Sequence, residues 1–174
     1  GGGDGSSGSH ATTSSHQELR GETLAFSSRI MQDSYPLTVL LPGDYANQTE
    51  PLPVILVLDG RWHQQRVADE VAAIGTAAIV VGIGNDARRE PDFIPPNFNG
   101  ALSGMSSGLA DQYVAMLRDE VLPLLEARYR INSSQRYLMG HSLGGLLVEY
   151  ALLSDNPNAP TYRGYFASDA SNFN

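Results

Sequence analysis

The sequence contains no cysteine and no lysine. Without cysteine there can be no disulfide, no thiolate zinc site and no cysteine nucleophile. Without lysine there is no Schiff-base amine and no P-loop lysine, and all 11 basic residues are arginine. Positive charge is also scarce. The formal net charge is −8, which argues against nucleic acid as a partner, because phosphate binding needs a basic face. No apolar run approaches the ~18 residues of a membrane span. What remains is ordinary for one domain: 174 residues, of which 41% are hydrophobic, enough to build a core.

Residues 1–18 read GGGDGSSGSHATTSSHQE. Gly, Ser and Thr dominate, and so little apolar surface cannot offset the entropy of ordering, so a flexible leader is expected. It resembles the spacer that follows the lipid-modified cysteine of bacterial lipoproteins; an expression scar is the other reading. The first residue is Gly and no signal-peptide pattern is present, so a trimmed start is expected. On the first reading the protein is exported, periplasmic or lipid-anchored, with a membrane tether through the leader; a cytoplasmic location stays open. His10 and His16 fall in this leader, away from any scaffold that could make them catalytic.

Residues 19–174 are expected to form the N-terminal and central part of one α/β domain. Leu37 to Leu41, Val54 to Leu58 and Ala77 to Ile83 are near-continuous Val/Ile/Leu runs, each closed by a Gly-containing turn signal. Runs of this kind predict strands buried on both faces. Arg136 to Met139 and Tyr165 to Ala167 are shorter strand candidates. Helical spacing separates them at Arg66 to Ile74, Asp111 to Tyr129 and Leu143 to Leu153, and Pro123 predicts a kink or a break near Leu122. Strands alternating with helices predict a mainly parallel sheet with helices on both faces. Ligands of such sheets bind at the carboxyl ends of the strands. The stretch from Asn85 to Leu109 has no clear periodicity and is expected to be a cap or substrate loop above the sheet edge.

The informative motif is Gly140-His141-Ser142-Leu143-Gly144-Gly145, which fits the nucleophile elbow Gly-x-Ser-x-Gly. The elbow is a sharp strand-to-helix turn that leaves the serine hydroxyl exposed. Small residues two before and two after the serine avoid clashes, and the helix N-terminus favours a developing oxyanion. A chance match in a chain this size occurs roughly 5% of the time, so the context decides. Here an apolar strand, Tyr137 to Met139, precedes the motif, and an apolar helical run from Leu146 follows it.

With this motif in hand, the chain resembles the esterase D family of α/β-hydrolases, which includes siderophore esterases, feruloyl-type carbohydrate esterases and mycolyltransferases. The resemblance spans about residues 24–171. It rests on Leu41-Pro42 with Tyr45, Leu58-Asp59-Gly60, Val81-Gly82-Ile83 followed by Arg88 and Arg89, Glu120-Val121-Leu122-Pro123 with Tyr129-Arg130, and the elbow. It implies an α/β-hydrolase sheet and a serine ester hydrolase with Ser142 as nucleophile. It also implies an oxyanion hole made by the backbone N–H groups of Leu143 and of Arg61, in the loop after Gly60. Trp62 and His63 would border the substrate pocket, although Trp62 also suits a surface-packed aromatic and Asp59-Gly60 a plain turn. Arg88 or Arg89 falls where some relatives place an arginine facing an anionic substrate; a solvated surface run is the alternative. The partner is then a small-molecule ester, and no metal or organic cofactor is required.

One part of the pattern is missing. In this fold the triad follows the order serine, acid, histidine, yet no histidine follows Ser142. The acids beyond it are Glu149, Asp155 and Asp169, of which only Asp169 stands where some hydrolases carry the acid. His141 is adjacent to the serine and is expected to pack beneath the turn, which leaves His63 as the nearest alternative base. The chain therefore reads as C-terminally truncated, with its triad acid and histidine beyond residue 174. A non-catalytic α/β-hydrolase-like binding protein, or an acyltransferase using the same site, is the alternative.

Overall fold

The computed structural model describes residues 20–96 and 108–168. The leader lies outside this range. Among the described residues, eight strands form two sheets. The larger sheet contains β1 (Arg20–Leu24), β4 (Leu37–Leu41), β5 (Leu52–Val57), β6 (Ile79–Ile83), β7 (Ile131–His141) and β8 (Gly164–Ser168), and β2 (Ser27–Ser28) pairs with β3 (Asp33–Ser34) in a separate short hairpin. The strand order is β1-β4-β6-β5-β7-β8. β1 and β4 join antiparallel; β6, β5, β7 and β8 run parallel to one another. The expected mainly parallel sheet is therefore present, with an antiparallel corner that period alone did not announce.

The helices follow the same logic. α1 (Gly60–Ile74) links β5 to β6, and α5 (Leu143–Ser154) links β7 to β8. Alternate residues of β5, with Leu58 just beyond it, divide the core. Val54, Leu56 and Leu58 join the main cluster with Leu138, Met116 and Leu147. Val57 joins a smaller one with Val67, Ala68 and Val80 under α1. β6 has all five residues buried, as its unbroken apolar run predicts. Among the described residues, no helix is long and apolar enough to cross a membrane.

Two elements differ from expectation. The α1 helix begins at Gly60, six residues before Arg66. Its first turn, Gly-Arg-Trp-His, has no apolar periodicity because Arg61 and Trp62 face outward. The stretch after Asn85 is not wholly a loop. It forms a 3₁₀ turn (Asp86–Arg88) and then α2 (Arg89–Phe93), whose Asp92 and Phe93 are buried. The remainder of that stretch, residues 97–107, lies outside the described range.

Pro123 acts as expected but more gently than a break. α3 (Ala110–Met116) passes through a π-helical turn (Leu117–Val121) into α4 (Leu122–Arg128), with helical dihedrals kept at Val121 and Leu122. Proline lacks the N–H and its ring crowds the carbonyl four residues back, and a π turn accommodates both. Glu120 sits in this turn. Its carboxylate accepts hydrogen bonds from Ser28 Oγ at 2.6 Å, Arg29 N–H at 2.9 Å and Ile30 N–H at 3.2 Å, tying the β2–β3 connection to the helix.

Burial alone would push the Glu120 carboxyl up, but these hydrogen bonds outweigh it and hold the acid below the usual glutamate range. A depressed folded pKa gives stability that is complete above about pH 4.3 and is lost as pH falls through the folded value. Glu120→Gln is expected to cost about 1 kcal/mol at neutral pH, read as a lower urea midpoint. The gap from the parent should narrow towards about pH 3; a gap independent of pH would show that the charge plays no part.

Candidate active site

β7 ends at His141, and α5 begins at Leu143. Ser142 makes the whole turn between them, with φ 57° and ψ −118°. This conformation belongs to the first central position of a type II′ turn, which favours glycine. A serine there stores strain of order 1–3 kcal/mol. The turn is held from outside: the Ser142 N–H donates to Ser168 O at 2.7 Å, which fixes the elbow to β8. The Ser142 side chain is exposed and makes no capping hydrogen bond to its own helix. Gly140 is required by space, since a Cβ there would lie 2.3 Å from the Gly144 carbonyl oxygen.

β5 lies beside β7 in parallel register, Val57 opposite Met139, and Leu58 N–H continues the ladder to Met139 O at 2.9 Å. The next residues on each strand therefore turn into helices side by side. In α5 the first intrahelical bond is Leu146 N–H to Ser142 O, so the Leu143 N–H precedes the ladder. In α1 it is Trp62 N–H to Asp59 O, so the N–H groups of Gly60 and Arg61 precede it. Two helices thus begin from adjacent parallel strands at one end of the sheet, each with N–H groups that precede its first intrahelical bond. Gly60 is again required by space: a Cβ there would fall 2.5 Å from Gly82 Cα.

The predicted site residues separate on inspection. Trp62 is 65% exposed, and the Arg61 guanidinium stacks over its ring at 5.1 Å. His63 packs edge-on against His141, ring centroids 5.0 Å apart. Both line a cavity of about 330 Å3 between α1 and the ends of β7 and β8, with Arg66, Met139, Phe166 and Ser168. His141 therefore lines a cavity rather than packing beneath the turn, and its Nδ1 lies 2.9 Å from Ser168 Oγ. Burial, then His141 and Arg66, hold His63 below the usual histidine range against the opposing charge of Asp59. Ser142 does not line this cavity. Asp169, His10 and His16 lie outside the described residues, which also contain no group of three or more metal-ligating side chains.

The two arginines depart most from expectation. Arg88 lies 3.3 Å from Asp92 and 3.5 Å from Asp33. Arg89 grips Asp59 with Nε at 3.1 and 3.2 Å and Nη2 at 2.9 Å. Each is paired with a carboxylate of the chain and keeps about a third of its side chain exposed. The sequence reading also missed Asp59 itself. It is 3% exposed and left-handed, with φ 51°. Its one signal was an Asp at a strand end, a residue type that tolerates that conformation.

Comparison with known proteins gives a consistent result. The sequence family described as Putative esterase matches residues 28–165. The siderophore triacetylfusarinine C esterase of Aspergillus fumigatus is 32% identical over 123 residues, covering 60% of this chain and 40% of the relative. The ferri-bacillibactin esterase BesA of Bacillus subtilis is 29% identical over 98 residues, 49% of this chain and 34% of the relative. Among solved structures, an IroE-like serine hydrolase from Shewanella oneidensis superposes with a TM-score of 0.71 at 25% identity, over 82% of this chain and 48% of that one. The chain thus spans less than half the length of each of these three relatives.

The strain at Ser142 makes a prediction about stability. Ser142→Gly is expected to stabilise the fold by about 1 kcal/mol, because glycine adopts this φ without a Cβ penalty. Ser142→Ala keeps the Cβ and should stay within about 0.5 kcal/mol of the parent. Parallel thermal melts decide it; a glycine variant no more stable than the alanine one would mean that the turn is unstrained.

Proposed function

The chain belongs to the esterase family of α/β-hydrolases, and from that we propose that it carries the nucleophile and oxyanion hole of a serine carboxylic ester hydrolase. The supporting observation is Ser142, held at φ 57° between a strand and a helix N-terminus with its hydroxyl exposed. Ser142 Oγ attacks the ester carbonyl carbon while a base takes its proton. The carbonyl oxygen becomes an oxyanion and accepts hydrogen bonds from the N–H groups of Leu143 and Arg61. Collapse expels the alcohol, which takes the proton back from the base. Water, activated by the same base, then releases the acid from the acyl-enzyme.

The base in this reading is a histidine, oriented by an acid, contributed from beyond residue 174. No histidine follows Ser142 in the chain, and His63 faces His141 in the neighbouring cavity. The substrate class is a small-molecule ester. Two relatives are named for siderophore esters, and the exposed Arg61–Trp62 pair offers a cation and an aromatic face at the rim. Gly60 lets that rim approach the sheet closely.

The test is hydrolysis of a short-chain p-nitrophenyl ester by the complete polypeptide that contains this segment. Ser142→Ala is expected to lower kcat/KM by about 10⁴-fold or more. Equal rates for the two proteins would remove Ser142 from the chemistry and favour a binding role. The 174-residue chain alone is expected to show no Ser142-dependent turnover. If it does show it, the base lies within the chain, and His63→Ala identifies or dismisses the first suspect.

A further inference from the structure

Asp59 occupies the N-cap of α1 but does not cap it. An aspartate at this position ordinarily accepts a hydrogen bond from the second or third N–H of its helix. Here those groups belong to Arg61 and Trp62. The Trp62 N–H is taken by the Asp59 carbonyl, which leaves the Arg61 N–H as the donor the carboxylate would naturally claim. Instead, both carboxylate oxygens face Arg89 from α2, at 2.9–3.2 Å. The backbone agrees with this diversion: Asp59 is left-handed, with φ 51° and ψ 48°, whereas an N-cap usually lies in the extended region. The carboxylate is 3% exposed and lies against the first turn of α5, where a Cβ on Gly144 would be 3.4 Å from Asp59 Oδ2. An unneutralised carboxylate there would oppose a developing oxyanion, and one that capped α1 would consume its donor.

We propose that Arg89 is a positioning residue: its ion pair holds the Asp59 carboxylate away from the N-terminus of α1 and so keeps the Arg61 N–H free for the substrate's carbonyl oxygen. The consequence for catalysis rests on the esterase reading above; the backbone consequence does not. Arg89 thus acts on the reaction through Asp59 and has no need to touch the substrate. Loss of the guanidinium frees Asp59 to relax into the extended region and cap Arg61.

Two measurements on Arg89→Met, Arg89→Lys and the double variant Asp59→Gly/Arg89→Met test this. Glycine suits the left-handed φ and has no carboxylate to misplace. In the complete polypeptide, Arg89→Met is expected to lower kcat by about 100-fold, with KM changed by less than about twofold. The loss should be equal on p-nitrophenyl acetate and on the anionic p-nitrophenyl hydrogen succinate. The double variant should recover most of it, and Arg89→Lys, with its charge but no planar fork, should fall between. A loss confined to KM for the anionic ester, with acetate hydrolysis intact, would make Arg89 a substrate-binding residue and overturn the proposal.

The second readout is hydrogen exchange of the Arg61 amide by NMR in the 174-residue chain, which needs no activity. Protection is expected to rise about tenfold in Arg89→Met as the cap forms, and to return to the parent value in the double variant. Unchanged protection in a folded Arg89→Met overturns the proposal even if the esterase reading stands. Absence of Ser142-dependent turnover in the complete polypeptide, with the exchange pattern as expected, sinks the esterase reading and leaves the ion pair's role in place. Should Arg89→Met fail to fold, Arg89→Lys takes its place, and parent-like exchange in it would count against the idea.

Discussion

Parallel pairing of β5 with β7 is the constraint on which the site depends. The two strands are distant in sequence, yet their register sets Val57 beside Met139. Each then leaves the sheet at its carboxyl end and becomes a helix within two or three residues. Had the strands been antiparallel, one helix N-terminus would lie at each end of the sheet and no common anion-binding point would exist. Parallel register brings two helix N-termini, at Gly60 and at Leu143, to the same end of the sheet. The glycines follow from the same closeness. Gly60 meets the backbone of Gly82, and Gly140 meets the backbone of Gly144, so the space between strand ends is set by main chain.

Strain collects along this same edge. Asp59 follows β5, Asn85 follows β6 and Ser142 follows β7, and all three are non-glycine residues with positive φ. Each costs of order 1–3 kcal/mol and persists only when its surroundings over-determine it. Those surroundings are visible. Asp59 is held by Arg89, Asn85 donates its Nδ2 to Ser34 O at 2.8 Å, and Ser142 N–H is held by Ser168 O. The opposite end of the sheet carries no comparable cluster among the described residues. Three of the four described non-glycine residues with positive φ thus lie at the carboxyl ends of the parallel strands, where open α/β sheets bind ligands, and the fourth, Gln32, lies in the β2–β3 hairpin.

What could be read in advance follows from which physics leaves a one-dimensional trace. Burial on two faces leaves an unbroken apolar run, so β4, β5 and β6 were legible at Leu37, Val54 and Ala77. The elbow was legible because steric crowding demands small residues at fixed distances from Ser142. Proline chemistry placed the distortion near Leu122, though not its π form. The first turn of α1 left no trace, since it faces solvent on one side and the strand ends on the other. The helical part of the stretch after Asn85 was hidden for a related reason: α2 is five residues long, too short for a period to register. The pairing of Arg89 with Asp59 spans 30 residues, and no local pattern announces a contact of that kind.

The adjacent arginines show how misleading local appearance can be. Arg88-Arg89-Glu90 looks like a charged surface run, or like a pair of free anion receptors. The fold instead gives each guanidinium a buried carboxylate: Asp92 is 1% exposed and Asp59 3% exposed. At Asp92, burial pushes the carboxyl up, and the hydrogen bond from Tyr35 with the charge of Arg88 holds it back without cancelling the rise. A carboxylate removed from water needs a partner that satisfies both oxygens. At Asp59 the planar guanidinium fork does so from one side, with two nitrogens on two oxygens, and a lysine would offer a single point of charge. On the proposal above, this contact lets Arg89 act on the site through Asp59 without touching the substrate. Under the proposed mechanism, Nε and Nη2 turn towards the carboxylate that would otherwise compete with the oxyanion for the N-terminus of α1.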